Sequence, residues 1–491
     1  SIISKEIQNN LNALNEMTQN SIVWLSKFKT DTPIEYNYPC RNEPETLDPI
    51  FMRDLESGNI TKMLYSGLMN FNASGMVKPA LVESHFIFES GKSYLFNLRK
   101  DIFYHDGSRL TSRDVKLSLE RFLNPQNLST YGIIFSYVKG LAEFKSGAAN
   151  EIKGFEIIDD LRFRISLDNP HNFLFEELAT VQSLIVKINE KGEFVPNIGT
   201  GPFVFKEWKK GEELILEANE HFFLGKPPID YLRIKFIPER KDQIKLFKTG
   251  ELDHVFVNKS EKEELKEYGT SFSKDQHTIC YLGFNLKTEG KTKEKDVRKA
   301  FSMILDREEV LKNLNYKPYN KIIPPTLLTK GRFDQASEIN KELAQSLLEQ
   351  AGVTPEDEFI LDLPLDRIEM GERIKKQFED SGIKLSLRSS PWKEYLDRLI
   401  SGKTEMFLIN FISDSTSFDS LFHSLFHSDS IGNADNDFRF SDKEIDRLID
   451  EGTRKNFARH ELEDYYIDLE ARITNEYPMI ILGYGEEVIM H

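Results

Sequence analysis

The segment "MFLINFISDSTSFDSLF", residues 406–422, begins with an almost continuous apolar run and then changes character. Its first seven residues are apolar except for one asparagine, a pattern typical of a strand buried on both faces in a parallel sheet. Ser413 and Asp414 end the run. Open α/β sheets bind ligands beyond the carboxyl ends of such strands. Asp414 is therefore either a ligand contact or the residue of an ordinary Asx-turn.

The residues before this strand predict two further strand–helix units. "EFILDLPL" (358–365) reads as a strand that precedes a helix over 371–382, and "IKLSLRS" (383–389) reads as a strand that precedes a helix over 392–402. This βαβαβ succession predicts parallel strands joined by right-handed crossovers.

The part of the chain before residue 277 has a different texture, with short alternating strands and turns. Hairpins are predicted over 155–167 and 199–219, and a helix over 110–123 begins at an S/T-type N-cap with an acidic residue three positions on. Further helices are predicted over 2–25, from an amphipathic spacing of apolar residues, and over 295–314. The chain therefore combines a strand-rich half with an α/β half.

Bulk composition limits the class of protein. A chain of 491 residues is expected to form two or three domains. The formal net charge of −16 argues against nucleic acid or an anionic membrane surface as partner. No run of 18 apolar residues occurs, so no membrane span is predicted. The chain opens at Ser1 without a methionine, which is expected of a processed product.

The familiar catalytic and metal motifs are not found. "ESGKS" (89–93) lacks the loop glycine of a P-loop, and no GxSxG or HExxH motif occurs. His423 and His427 lie four residues apart and could share a helix face, but two histidines make only half a metal site. Cys40 and Cys280 have no metal-ligand spacing, and whether they form a disulfide stays open.

Several stretches, in a fixed order along the chain, resemble one known family. They are "NEPETLDP" (42–49), "LYSGLMNFNASGMVKPALVES" (64–84), "LFNLRKDIFYHDGSRLTSRDVKLSLERFLNP" (95–125), "IGTGPFVFKEWKKGEELILEANEHFFLGKPPID" (198–230), "KTGELD" (248–253), and "CYLGFNL" (280–286) with "KDVRKAFSMILDREEV" (295–310). The third stretch is the most specific. From about residue 36 to its end the chain resembles the extracytoplasmic solute-binding proteins of family 5, the oligopeptide-, dipeptide- and nickel-binding proteins of ABC importers.

The resemblance implies an α/β fold of the two-lobed periplasmic-binding-protein kind, class II, type C, which encloses its ligand between the lobes. It implies a lobe I with an extra inserted subdomain and a lobe II that anchors the ligand. The expected divisions are residues 36–73, 184–277 and 472–491 for lobe I, 74–183 for the inserted subdomain, and 278–471 for lobe II. Residues 1–35 have no counterpart in the family and are expected to be either a tether or an added packing helix.

The resemblance also decides between the two interpretations of Asp414. In peptide-binding members an aspartate after the equivalent strand holds the α-ammonium of the peptide. Asn410 and Phe411 stand where the family has a Gly-Trp pair, so Asp414 falls on that anchoring aspartate. A carboxylate in a water-poor site forms a strong charge-assisted bond to an ammonium group. We therefore favour the ligand anchor over the turn.

The other end of a peptide needs a cation. Arg367, at the end of "LPLDR" (363–367), falls where dipeptide-binding relatives have an arginine that pairs with the ligand carboxylate. A surface arginine is the alternative, and both stay open. Strand-like hydrogen bonds from the protein backbone are expected to hold the ligand backbone. The remaining candidate ligand contacts are Ser66, Gly67, Phe411, Ser413 and Trp392.

Two departures from the family pattern bear on the ligand class rather than on the fold. Many members have an acidic residue where Ser66 stands, and His85 replaces a usual tryptophan. One ligand-facing charge of those members is therefore missing here.

The resemblance implies a monomeric receptor that captures peptides and delivers them to the permease subunits of a membrane ABC transporter. It would lie in the periplasm or on the outer face of the cytoplasmic membrane, where a removed N-terminal segment could carry a lipid anchor. No cofactor and no metal are expected. A nickel-chelate or haem receptor of the same fold is one alternative. An envelope peptidase is the alternative from another class, but we find no nucleophile–base pair for it.

Overall fold

A computed structural model of the chain describes residues 33–52, 55–72, 75–127, 135–329, 339–412, 417–432, 436–455 and 457–491. These residues divide into two compact units. Unit 1 contains the described residues up to Phe256, then Glu264–Phe272 and Ile489–His491, and unit 2 contains Val257–Glu263 and Ser273–Val488. The predicted helix over residues 2–25 lies outside the described residues.

Unit 1 is rich in strands, as the sequence predicts. They are β1 (Glu35–Cys40), β2 (Met69–Phe71), β3 (Val77–Pro79), β4 (Val82–Phe88), β5 (Ser93–Leu98), β6 (Phe155–Asp159), β7 (Arg162–Ser166), β8 (Phe203–Lys209), β9 (Glu213–Ala218), β10 (Tyr231–Phe236) and β11 (Val255–Phe256). One sheet has the order β1-β10-β9-β8 and another the order β4-β5-β7-β6, while β2 pairs with β3. The pairs β6–β7 and β8–β9 are the two predicted hairpins.

Each four-stranded sheet of unit 1 has its own hydrophobic core. One core combines residues of β4, β5 and β7 with Val115, Leu119 and Phe122. The other combines residues of β1, β9 and β10 with Ile60 and Leu64. The sheet of β4, β5, β6 and β7 lies within the predicted inserted subdomain, residues 74–183. That this segment forms a separate subdomain stays a prediction.

The helices of unit 1 are short and connect or cover the sheets. They are α1 (Leu55–Leu64), α2 (Ser112–Leu123), α3 (Leu141–Lys145), α4 (Leu174–Glu177) and α5 (Arg240–Lys248). The capping interaction predicted for α2 is confirmed. The carboxylate of Asp114 accepts hydrogen bonds from the backbone N–H and the hydroxyl of Thr111, both at 2.8 Å, which satisfies polar groups that a helix start otherwise leaves unpaired.

Unit 2 is built on a mixed sheet. The strands that follow β11 are β12 (Ser271–Phe284), β13 (Tyr316–Pro318), β14 (Glu358–Pro364), β15 (Lys384–Ser390), β16 (Met406–Ile412) and β17 (Met479–Met490). Within unit 2 the order along this sheet is β17-β12-β16-β14-β15, and β13 pairs with β17. Strand β14 is parallel to β15 and to β16, which confirms the predicted βαβαβ unit.

The remaining helices of the described residues follow α5 along the chain. They are α6 (Lys259–Leu265), α7 (Lys295–Ile304), α8 (Arg307–Leu311), α9 (Lys341–Gln350), α10 (Ile368–Glu379), α11 (Trp392–Ile400), α12 (Phe418–Phe426), α13 (Lys443–Arg454) and α14 (Arg459–Thr474). The single helix predicted over 295–314 is wrong. The first helix ends at Ile304, and a second helix begins at Arg307. The side chain of Asp306 caps this second helix, because it accepts a hydrogen bond from the backbone N–H of Glu309 at 3.2 Å.

Strand β16 is only partly what its sequence predicts. Met406, Phe407 and Leu408 are fully buried, in agreement with the prediction. Toward its carboxyl end the strand emerges from the core, and Ile412 is 55% exposed. Burial on both faces therefore holds for the first half of the strand and is wrong for the second.

The predicted division into lobes stays a prediction, and the two compact units group the end of the chain differently from it. The predicted lobe II, residues 278–471, lies within unit 2. The segment expected in lobe I, residues 472–491, also lies in unit 2 as far as Val488, and only Ile489–His491 belong to unit 1. The reason is hydrogen bonding, because β17 is a neighbour of β12 in the unit 2 sheet and also pairs with β13.

Both cysteines are buried and neither is in a disulfide, so the pairing that the sequence leaves open is not formed. The Sγ of Cys40 donates to the backbone carbonyl of Asn42 at 3.0 Å. Among the described residues, none of the helices combines the length and the apolar character that a membrane crossing requires.

Candidate functional site

Arg367 lies at the carboxyl edge of the parallel part of the unit 2 sheet. Strand β14 ends at Pro364, a single 3-10 turn over Leu365–Arg367 follows, and α10 begins at the next residue. The Arg367 side chain is only 21% exposed. The first residues after parallel strands are where open α/β sheets place ligand-binding groups.

The guanidinium of Arg367 is held by two neutral side chains. Its Nη1 donates to the hydroxyl of Tyr316 at 2.8 Å and to Oδ1 of Asn410 at 3.2 Å. The Nδ2 of Asn410 in turn donates to the Tyr316 hydroxyl at 2.7 Å. The three side chains come from β13, β16 and the turn after β14, so three separate elements fix the direction of the guanidinium.

This arginine has no close anionic partner in the part of the chain that the structure describes. The nearest carboxylate there is that of Asp366, with Oδ2 at 3.8 Å from Nε, and that side chain is 75% exposed. Burial alone lowers the pKa of Arg367, but the nearby Tyr316 and Cys280 side chains outweigh it, and the pKa lies above its usual value. Arg367 is therefore a partly desolvated cation, which is costly without a counter-charge.

Tyr316 adds a hydrogen-bond donor beside this cation. Burial raises the pKa of the Tyr316 phenol, so the hydroxyl stays protonated near neutral pH. Its oxygen accepts from Arg367 and from Asn410, and no described residue accepts the remaining O–H proton. Arg367 and Tyr316 together therefore offer a charged fork and a neutral donor, a set that suits a carboxylate.

Exposed apolar side chains lie along the same edge of the sheet. We call this group the apolar edge; it consists of Leu365, Ile368, Trp392 and Ile412, which are 52%, 39%, 55% and 55% exposed. They follow or end the three neighbouring strands β16, β14 and β15. Because β14 is parallel to both of its neighbours, the carboxyl ends of all three strands meet at this one edge.

The structure brings two of the predicted contacts to this edge and separates a third. Arg367 and Trp392 follow adjacent parallel strands. The Trp392 ring lies 5.7 Å from that of Tyr395, centroid to centroid. Phe411 pairs with Ile279 across the sheet, whereas its neighbour Asn410 contacts Arg367. Successive residues of a strand point to opposite faces, so Phe411 faces away from the arginine.

Ser66 and Gly67 belong to unit 1, and their polar groups have partners there. The Ser66 hydroxyl donates to the carbonyl of Thr200 at 3.2 Å, and the Ser66 carbonyl accepts from Ile185 at 3.0 Å. The Gly67 carbonyl accepts from Leu81 at 3.2 Å. Their role as ligand contacts stays a prediction.

Ser413 and Asp414 lie outside the described residues, so their roles also stay predictions.

His427, the second histidine of the candidate metal half-site, is the C-cap of α12 and does not continue the helix. The rings of His423 and His427 stack at 4.4 Å, and His427 Nδ1 accepts from the backbone N–H of Asp429 at 3.2 Å. No group of three or more potential metal ligands occurs among the described residues.

Sequence reasoning missed Tyr316 and the polar role of Asn410. Asn410 does carry a signal, because it is the one polar residue in the run 406–412. Tyr316 carries none: β13 has three residues, and only its pairing with β17 brings Tyr316 to Arg367. The apolar edge was also missed apart from Trp392, since exposure of single apolar residues is not visible in a sequence.

Comparison with known proteins places the chain in a family. The model described as bacterial extracellular solute-binding proteins, family 5 Middle, matches residues 76–433. The oligopeptide-binding protein OppA of Bacillus subtilis is 24% identical over 84% of this chain and 81% of its own length. Heme-binding protein A of Haemophilus influenzae is 25% identical over 94% of this chain and 89% of its own length.

A solved structure agrees in fold. The ABC transporter substrate-binding protein CtaP of Listeria monocytogenes superposes with a TM-score of 0.80 at 19% identity, covering 93% of each chain. That level of identity speaks for the fold alone, the two-lobed α/β architecture that the sequence predicts. With the family model matching most of its length, this chain belongs to the bacterial extracellular solute-binding proteins of family 5.

Proposed function

We propose that this protein is an extracytoplasmic receptor that binds short peptides and delivers them to the permease subunits of an ABC transporter. The observation that carries the proposal is Arg367, a partly desolvated cation at the carboxyl edge of a parallel sheet, whose hydrogen-bond partners among the described residues are the neutral Tyr316 and Asn410. A ligand carboxylate would supply the missing counter-charge. The oligopeptide-binding relative supports a peptide as the molecule that carries it.

The proposal is of a binding protein and not of an enzyme. The Arg367 cluster offers donors but no activated nucleophile. Burial raises the pKa of the nearby Cys280 thiol to about 11, so the thiol is protonated at neutral pH and unsuited to attack. A haem receptor is the second candidate, favoured by the heme-binding relative. A nickel-chelate receptor remains the alternative within the same fold.

Recovery of ligand from the protein tests the proposal. After incubation with a random peptide pool and removal of unbound material, denaturation is expected to release intact peptides with free carboxyl termini. Mass spectrometry of the released fraction identifies them, and a protein denatured before incubation is the control for adsorption. Shortened peptides would instead indicate a peptidase. A Soret band or bound nickel without peptides would favour the cofactor receptor.

We infer that Asp414 holds the ammonium group of the same ligand. It stands two residues beyond Ile412, the end of β16, and β16 is the parallel neighbour of β14, which leads to Arg367. The ends of neighbouring strands lie close enough for one short peptide to reach both. A hydrogen bond to a charged group contributes roughly 1.5–3 kcal/mol.

The variant Asp414→Asn is expected to weaken binding of free-amino peptides by roughly tenfold to 150-fold. N-acetylated peptides are expected to bind the variant and the wild type with similar, low affinity. Calorimetry on the four combinations gives the coupling energy. Asp366→Asn is the matched control, because it removes another carboxylate from the same edge. A coupling energy near zero between the Asp414 carboxylate and the peptide ammonium would indicate that Asp414 is a turn residue and not a ligand contact.

A further inference from the structure

The apolar edge is unusual for this unit of the protein. Among the described residues of unit 2, the large hydrophobic side chains that are exposed are Ile339, Leu343, Leu365, Ile368, Trp392 and Ile412. Four of these six belong to the apolar edge. Single exposed apolar residues are normal on a protein surface, but a group of them marks a surface that binds something.

The apolar edge lies beside Arg367, and this position constrains the chemistry of the ligand that both would bind. Leu365 and Ile368 stand two residues before and one residue after Arg367. Trp392 and Ile412 follow and end the strands on the two sides of β14. The cation is therefore flanked by apolar side chains on both sides along the edge. A ligand that pairs with the Arg367 cation and also covers the apolar side chains must have a carboxylate and a large apolar substituent close together.

We propose that the apolar edge binds the side chain of the ligand's carboxyl-terminal residue, and that the protein prefers peptides ending in an aromatic or large aliphatic residue. The proposal rests on the proposed function, because it takes the carboxylate at Arg367 to be that of a peptide. A peptide's terminal carboxylate and last side chain share one Cα atom, so a ligand held by Arg367 brings that side chain to the apolar edge. Burial of the side chain against Trp392 and its neighbours then supplies the preference.

A pair of isomeric tripeptides tests this preference. Ala-Ala-Phe and Phe-Ala-Ala have the same length, charge and composition and differ only in which end carries the ring. Wild-type protein is expected to bind Ala-Ala-Phe about tenfold more tightly, the effect of burying part of an aromatic side chain. Isothermal titration calorimetry measures both affinities under one set of conditions.

Variants of the apolar edge connect the preference to its residues. Trp392→Ala is expected to remove most of the difference between the isomers, chiefly by weakening Ala-Ala-Phe. Leu343→Ala is the matched control, since Leu343 is 43% exposed on α9 of the same unit and is outside the apolar edge. If Trp392→Ala melts abnormally, Ile412→Ala takes its place, with the same expected direction.

Each result decides the proposal. Equal affinities of the wild type for the two isomers would overturn the preference and leave the proposed function standing. If the affinity difference between the two isomers persists in both Trp392→Ala and Ile412→Ala, a surface other than the apolar edge binds the side chain of the terminal residue. Absence of binding by either isomer, together with no peptide recovered from a pool, would remove the proposed function and this inference with it.

Discussion

Replacing Arg367 by glutamine is expected to weaken the binding of peptides with a free carboxyl terminus by about 2–5 kcal/mol, or roughly 30-fold to several thousand-fold. Carboxyl-amidated forms of the same peptides are expected to bind wild type poorly and to lose little more in the variant. Calorimetry on the two proteins and two peptide forms gives the coupling energy between the guanidinium and the carboxylate.

The size of this effect follows from the surroundings of Arg367. The side chain is largely shielded from water, and its close partners in the described structure are the neutral Tyr316 and Asn410. A ligand carboxylate therefore meets a cation that is already oriented by two hydrogen bonds and whose nearest carboxylate among the described residues is the exposed Asp366, at 3.8 Å. Without the cation, the bound carboxylate would lie desolvated and unpaired, which is the expensive outcome.

Three further measurements separate ligand binding from a structural role. Arg367→Lys keeps the charge but loses the two-pronged geometry, so it is expected to recover only part of the affinity. Arg447→Gln, at a surface position 57% exposed on α13, is expected to leave binding unchanged. Unliganded Arg367→Gln is expected to be at least as stable as wild type, because a costly charge has been removed. A clear loss of stability together with unchanged carboxylate binding would contradict the ligand role.

Asp362 is expected to contribute strongly to the stability of unit 2. It lies in β14 with no exposure to solvent. Arg388 binds it through both carboxylate oxygens, at 2.6 and 2.7 Å, and Nε of Arg398 binds it at 3.1 Å. Asp362→Asn keeps the shape and removes the charge that two arginines share. We expect a loss of about 3 kcal/mol in the free energy of unfolding, the lower end for a broken buried pair, because Arg388 can turn toward water.

Urea unfolding and hydrogen exchange in β14, β15 and β16 measure this effect. The matched control is Glu394→Gln, which removes a different carboxylate from the same Arg398, at 2.8 Å but 65% exposed. Exposed ion pairs contribute at most about 1 kcal/mol, so this control is expected to change stability little. If the two variants are equally stable, the buried network does not hold β14 and β15 together.

Asp362 also connects stability to the candidate site. It lies directly opposite Arg388 in the parallel pair β14–β15. The residues after these two strands include Arg367 and Trp392. Hydrogen exchange should therefore show whether weakening this pair loosens the edge that carries both side chains.

How much the sequence predicts depends on how local the signal is. The βαβαβ unit was predictable because apolar runs, helical periodicity and turn residues all lie within about 55 residues of each other. The capping of α2 was predictable for the same reason, since Thr111 and Asp114 are three residues apart. The break between α7 and α8 was missed because a helical periodicity continues across Asp306, and the N-cap there competes with it.

Pairings between distant segments were not predictable. Strand β16 pairs antiparallel with β12, some 130 residues earlier in the chain. The sequence of neither segment identifies the strand with which it pairs. The same holds for β17, whose neighbours in the sheet are β12 and β11 and which also pairs with β13. Backbone hydrogen bonds are alike for every residue, so partner choice is decided by the packing of the whole sheet.

The sequence by itself determined the family, the α/β character of the second half, and the place of Arg367 and Trp392 just after predicted strands. The tertiary structure decided which side chains share an edge with them. It put Tyr316 and Asn410 on the guanidinium, turned Phe411 to the opposite face, and left the apolar edge uncovered within its unit. The physical reason is that a residue's face and neighbours follow from strand register and sheet order, which depend on contacts between segments far apart in the chain.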